Sequence, residues 1–583
     1  MWLNLHWLDI LAIALYFAII LYLGVYKGGK STNNLADFFV AGSKWGPITS
    51  FIFIFAAATA GNEAVVISGS AYEGGLSGLW YWWSFLFATP IYYLFATYYR
   101  RARVYNLCEF FEMRYDRYAA GLYSLLAGVI CILLCGTFLL AISKILAGIT
   151  GLGQREWVWL LAVVVGAYVY SGGFMSAMLT NLFQGVLCLL FLCFVMLPFL
   201  WVRAGGWEAL RSYSDAHPEI WDLVSPDTMS YATVLALNLS AIVGGIAAPW
   251  IYNWIALSRD EKAATQCGWG HLWKRVITIF FAVYGILFVI LKPNLDDPEM
   301  AWGIVMGEIV PVGFMGLLIV SFVAAAMSSA DSHSTTSSAM FIDYFYRKIL
   351  RPNRSGQHYL AMAKLAAIAS VFIAALTTEW MTSLQDYVKL FMTLLSYLGI
   401  PILFGITWRK ANRSGMWLSL VGGSATYVVV NAAVMARNGI GFFEAISVSF
   451  EPAVFWAVGV SALGMVLGSL FGPEDDPIKL KRFYAIMHTP VGEESTLVRL
   501  GIKLPALVDK GLTPDGPEAI DEHALDRYYE AICRDKFFGP ESPIELKREP
   551  QLPWYYPGFL WSVAACFALL GLTWLVPKMV FVW

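Results

Sequence analysis

The chain has 583 residues, of which 58% are hydrophobic, 16% aromatic and 14% charged, with a formal net charge of -2. That much apolar surface exceeds what one soluble core can hide, and runs long enough to cross about 30 Å of hydrocarbon recur along the chain, so it reads as a polytopic membrane protein. The balanced charge, with no Lys/Arg patch interleaved with aromatics, excludes nucleic acid as a partner and leaves the lipid bilayer as the surroundings.

Marking apolar runs in chain order predicts helices near 7–26, 47–71, 76–99, 119–149, 156–171, 176–202, 231–256, 268–291, 311–345, 359–381, 386–408, 415–436, 452–472 and 555–581. The fold class is therefore an all-α bundle of about fourteen transmembrane helices. The first run, "LDILAIALYFAIILYLGVY", has no basic leader and no small-residue cleavage site, so it is expected to be a retained helix. Basic clusters ("KGGK", "RRAR", "SRDEK" with "WKR", "YRKILRPNR" and "WRKANR") fall in alternate loops, which the positive-inside rule makes cytoplasmic. Both termini are then expected outside the cell membrane. Residues 473–553 carry both signs of charge without a phosphate loop or metal-ligand spacing, and read as a cytoplasmic segment ahead of a last helix within 554–583. The eight cysteines are scattered, mostly through apolar runs, and read as buried fillers.

Two spans carry interruptions that a membrane helix should avoid. "FAAATAGNEAVVISGS" has Gly61, Asn62 and Glu63 in mid-span, and "SAIVGGIAAPWIYNW" has Gly244, Gly245 and Pro249. Irregular backbone at that depth needs protein or a water-filled cavity to satisfy its freed carbonyls and amides, so the breaks point to a site. With the helix at 7–26 set aside, they fall in the first and sixth spans, the pattern of two five-helix inverted repeats at about 47–202 and 231–408. Close helix packing by Gly-Gly is the plainer alternative. The core is taken as residues 1–472, with further helices at 415–472.

The run "AAAMSSADSHSTTSSAM" raises a different question, because it places hydroxyls and a carboxylate inside the 311–345 span. At about 100° per residue, Ser328, Asp331, Ser332 and Thr335 share one face, with Ser329 and Thr336 beside it. A charge at mid-membrane is costly unless paired, hydrated or protonated, so Asp331 should face the bundle interior. Hydroxyls bonding back to carbonyls one turn earlier explain Thr335 to Ser338. Ser328 and Ser329, next to a broken helix, suit a small cation that prefers hard oxygen donors. His333 beside Asp331 is the one suggestive catalytic pair, but sequential helix neighbours point about 100° apart, so no enzyme is expected.

Six stretches in order, "DFFVAGSKWGPI", "YNLCEFFEMRYDRY", "YSGGFMSAMLTNLFQG", "ALSRDEKAATQCGWG", "AAAMSSADS" and "FGITWRKANRSG", resemble the sodium/solute symporter family of sodium-coupled sugar, proline, sialic acid and pantothenate carriers. The resemblance spans about residues 7–472. It implies a LeuT-like fold, alternating access, sodium as coupling ion with no other cofactor, and symport of a small polar organic solute. It also implies sodium ligands at Ala56, Thr59, Ala325, Ser328 and Ser329. Where some members carry a "TDxxQ" acid for a second sodium, this chain reads "TNLFQ", with Asn181 in place of the Asp; Asp331 and Ser332 are candidates for a second cation or a proton. For the substrate, the resemblance implies polar contacts at Asn62 and Glu63, with Trp82 near a position that is polar in sugar carriers. Trp80, Trp83, Trp250, Asn253 and Trp254 are candidates to wall the pocket. Glu63 favours an amine or zwitterion, whereas Lys144 and Lys389 favour a carboxylate unless they snorkel. The alternatives are proton-coupled symport on the same fold, or a membrane sensor acting through 473–553.

Overall fold

A computed structural model describes residues 5–22, 45–57, 61–104, 106–504, 507, 512–513, 518–533 and 556–582. The chain opens with α1 (Trp7–Leu21), capped by His6, whose amide donates to Asp9 Oδ2 at 3.2 Å. The other carboxylate oxygen of Asp9 accepts the amides of Gly313 (2.8 Å) and Gly316 (2.7 Å), which pins the start of α1 to the start of a later span. One carboxylate thus serves two helix beginnings, where free N–H groups favour negative charge.

The first interrupted span is α2 (Pro47–Ala57) and α3 (Gly61–Gly74), followed by α4 (Trp80–Ala102), the short α5 (Leu107–Arg114) and α6 (Arg117–Thr150). Residues expected as two helices at 156–171 and 176–202 form one helical run instead, α7 (Gln154–Leu189) continuing through a π-helical stretch at Leu190–Met196 into α8 (Leu197–Arg203). Gly205 and Gly206 then adopt φ of 90° and 63°, left-handed values that glycine tolerates, and the chain turns by 70° into α9 (Gly206–Ala216).

The second interruption lies between α10 (Tyr231–Ile246) and α11 (Pro249–Ala256), which are bent by 48°. Pro249 starts α11, where a missing N–H costs nothing. Gly244 and Gly245 precede the bend and serve packing: a Cβ on Gly244 would sit 2.7 Å from the Leu395 carbonyl oxygen, and one on Gly245 2.3 Å from the Tyr92 hydroxyl. The bend itself falls at Ala247 and Ala248.

The chain continues with α12 (Glu261–Leu291), α13 (Ala301–Ile309), α14 (Phe314–Ala339) with a π-helical extension at Met340–Leu350, α15 (Gly356–Thr377), α16 (Leu384–Thr407), α17 (Arg413–Asn438), α18 (Phe442–Val448) and α19 (Phe450–Phe471). After α20 (Pro477–His488), α21 (Glu494–Arg499) and α22 (Glu522–Cys533), the last helix is α23 (Tyr556–Phe581). Among the described residues, eight helices are long and apolar enough to cross a membrane, or ten if each bent pair is one span. Fourteen separate spans are not matched among them.

One contiguous apolar core joins the spans, and a smaller one, around Ala485, Leu497, Ile502 and Leu525, organises α20 to α22. This segment docks on one end of the bundle. Arg103 donates to the Thr489 and Pro490 carbonyls and pairs with Glu494, while Arg114 pairs with Asp475 at 3.0 Å and donates to Gly405 O at 3.0 Å. The start of α1 and the end of α23 lie at the opposite end: Asp9 in the first turn of α1 holds the Gly313 amide, and Lys578 near the end of α23 pairs with Asp222 at 2.6 Å.

Candidate functional site

α3 begins against α14. A Cβ on Gly61 would lie 3.4 Å from the Phe322 carbonyl oxygen and 3.5 Å from the Ala325 Cβ, so glycine lets the helix start at that contact. Ala56 is in the last turn of α2, and Thr59 lies outside the described residues. On α14, Ser328 Oγ donates to Ala325 O at 2.9 Å, whereas the buried Ser329 Oγ has no hydrogen-bond partner among the described residues.

Beside Ser329 is a cavity that Asn62, Glu63, Trp82, Trp250 and Trp254 also line. Asn62 Nδ2 donates to Thr137 Oγ1 at 2.9 Å while its Oδ1 is unpartnered. Trp82 packs on Phe85 and Phe391, with ring centroids 5.7 and 6.2 Å apart. His333 sits between Trp250 and Phe138, each at 5.2 Å, and its Nδ1 lies 2.8 Å from the Ser329 carbonyl oxygen. It has packing partners on both faces and one ring nitrogen on the backbone.

Sequence reasoning missed several cavity residues, among them three with basic side chains. His271, Lys274 and Arg275 lie on one face of α12, at the spacing that brings residues i, i+3 and i+4 together. The stretch "WKR" was assigned to a basic loop, but α12 starts at Glu261 and carries it inside the bundle. Lys274 forms a buried ion pair with Glu63 and stands 5.9 Å from the Trp82 ring. The available signal was that these cations are followed directly by the apolar "VITIFFAVYGILFVIL" within the same helix.

Other candidates fall elsewhere. Asn253 does not line the cavity; its Nδ2 donates to Thr336 Oγ1 at 2.8 Å and ties α11 to α14. Trp80 donates to Leu223 O and Trp83 to Thr278 Oγ1. Lys144 pairs with Asp297 (2.7 Å) and Glu299 (2.6 Å), and Lys389 donates to Ser447 Oγ. Asp331 is fully buried; Oδ1 accepts from Thr335 at 3.3 Å and Oδ2 has no partner, while Ser332 donates back to Ser328 O at 3.0 Å. Asn181 is in α7, and its side chain is outside the described part.

A bundle with interrupted spans meeting at a buried, partly polar cavity defines a membrane transporter. Residues 38–423 match the sodium:solute symporter family, and the chain belongs to that family. It is a multi-pass membrane protein, a sodium-coupled solute symporter rather than an enzyme, with sodium as its coupling ion. Among its relatives, sodium/proline symporter 2 of Staphylococcus saprophyticus is 24% identical over 73% of this chain and 86% of its own length. The sodium/proline symporter of Staphylococcus aureus is 23% identical over the same shares. A solved Na+-coupled sialic acid symporter superposes with a TM-score of 0.64 at 18% identity, covering 80% of this chain and 99% of its own, and the two share the LeuT-like fold.

Proposed function

We propose that one sodium ion is held by the Ala56, Thr59 and Ala325 carbonyls with the Ser328 and Ser329 hydroxyls, and that a small polar organic solute binds beside it in the cavity of Asn62, Glu63, Trp82, Trp250 and Trp254. The observation that carries this reading is Ser329 Oγ, a buried hydroxyl at the cavity's edge with no partner among the described residues, on the helix that α3 abuts. A buried polar atom left unbonded costs free energy, and a cation there recovers it. Sodium joining α2 to α14 would favour the state in which the broken span and α14 are held together, and so bias alternating access by its differential affinity for the two states. The gradient supplies about 2.3 kcal/mol per charge per 100 mV, plus the concentration ratio. We place the basic loops and the 473–533 segment in the cytoplasm and both chain ends outside, in keeping with their lying at opposite ends of the bundle.

Asp331 favours a second reading beside the first, a further cation or proton at Asp331, Ser332 and Asn181, because its Oδ2 is buried and without a partner among the described residues. The test of the main reading is the melting temperature of purified protein in sodium, potassium and choline chloride. Sodium alone should raise it, since a ligand that binds only the folded state stabilises by mass action, and Ser329→Ala should lose the shift. A shift of equal size in the variant would remove Ser329 from the site.

A further inference from the structure

We propose that the solute is a small organic monocarboxylate and that Arg275 is the residue that selects for it; this rests on the cavity being the substrate site. Arg275 is buried and lines the cavity, and its bonds go to neutral groups: Trp82 O at 2.7 Å, His271 O at 3.4 Å and His271 Nε2 at 3.3 Å. Lys274 is taken up by Glu63, so among the described residues the cavity wall holds one carboxylate against two cations, and the guanidinium is the charge left over. Glu63 acts on both cations but is bonded to Lys274, and a buried guanidinium bonded to no carboxylate is costly; a ligand carboxylate, which accepts two parallel N–H bonds from that fork, removes the cost.

The neutral groups point the same way. Trp82 Nε1 and Trp254 Nε1 are buried donors on cavity-lining residues with no acceptor among the described residues, and an ionised carboxylate is acceptor-only. Asn62 Oδ1 and Glu63 Oε2 are acceptors without a partner among the described residues, and a hydroxyl on the same solute donates to one of them. A zwitterion fits less well, because Lys274 already neutralises the one cavity carboxylate that its ammonium needs.

The probes are lactate and propionate, their neutral isosteres lactamide and propionamide, and the zwitterion proline, each scored by the melting shift of the full-length protein in sodium chloride. The carboxylates should stabilise and the amides should not. Arg275→Gln should weaken carboxylate binding on the order of 30-fold while keeping the shift that sodium alone produces. Carboxylate binding unchanged in Arg275→Gln, no stabilisation by either carboxylate, or stabilisation by proline or the amides in preference to them would each overturn the proposal. If Arg275→Gln does not fold, the comparison of carboxylate with amide on the wild type decides alone. Carboxylate binding lost in Arg275→Gln but indifferent to sodium would instead sink the sodium site and leave this inference standing.

Discussion

Glu63 and Lys274 bind each other across two helices with both side chains buried, so each depends on the other for its charge. Removing one partner strands the other, at a cost of about 3 kcal/mol or more. Glu63→Gln and Lys274→Met should therefore each lower the melting temperature, and the double variant should recover most of the loss; additive losses would show that the pair is not coupled. Asp331 presents the opposite case, a buried carboxylate with one hydroxyl donor among the described residues. Asp331→Asn should leave stability unchanged or raise it in a sodium-free medium, measured by thermal unfolding, and a large loss would mean that the carboxylate has a partner that the neutral amide cannot replace. At this scale the sequence was legible where chemistry is local. Ser328 and Ser329 stood out as hydroxyls within an apolar run. Lys274 did not, because what makes it a cavity residue is Glu63, more than two hundred positions away.

Interrupted helices owe their shape to close contacts as much as to their own residues. The break before Pro249 was readable from the proline and its neighbours, but the roles within it were divided differently: Gly244 and Gly245 make room for Leu395 and Tyr92, and Ala247 with Ala248 forms the bend. Periodicity cannot say which of these a glycine does. Gly244→Ala would drive a methyl into the backbone of α16 at Leu395, and overpacking of this kind costs about 1–3 kcal/mol. Its melting temperature should fall accordingly, whereas Gly459→Ala, in α19 with open space around it, should melt like the wild type. Equal effects of the two substitutions would contradict the packing role. The α7 run shows the converse failure, since the apolar runs at 156–171 and 176–202 read as two spans where the backbone is helical throughout.

Across the whole molecule, the 473–533 segment holds on to residues from several parts of the bundle: Arg103 after α4, Arg114 in α5, Glu261 at the start of α12 and Gly405 in α16. Its small core was not legible as a separate unit, because its apolar residues are sparse and only become a cluster when α20, α21 and α22 meet. Within it His488, packed near Tyr98 and Tyr484, is pushed from 6.5 to about 4 by burial and then by the nearby charge of Arg101. A histidine whose folded value is depressed favours the docked form above its ordinary value, and that contribution is lost as pH falls from about 6.5 towards 4. Hydrogen exchange in α20 should therefore quicken, beyond its intrinsic pH dependence, between pH 7 and pH 5, and His488→Phe should flatten that response; an unchanged profile would remove His488 from the docking. Binding of radioactive sodium to the purified protein tests most directly whether sodium is held between the break before α3 and α14. Binding should be saturable, displaced by unlabelled sodium but not by potassium or choline, and absent when Ser328 and Ser329 are both replaced by alanine in a protein that still folds. Undiminished binding in that folded double variant would contradict it.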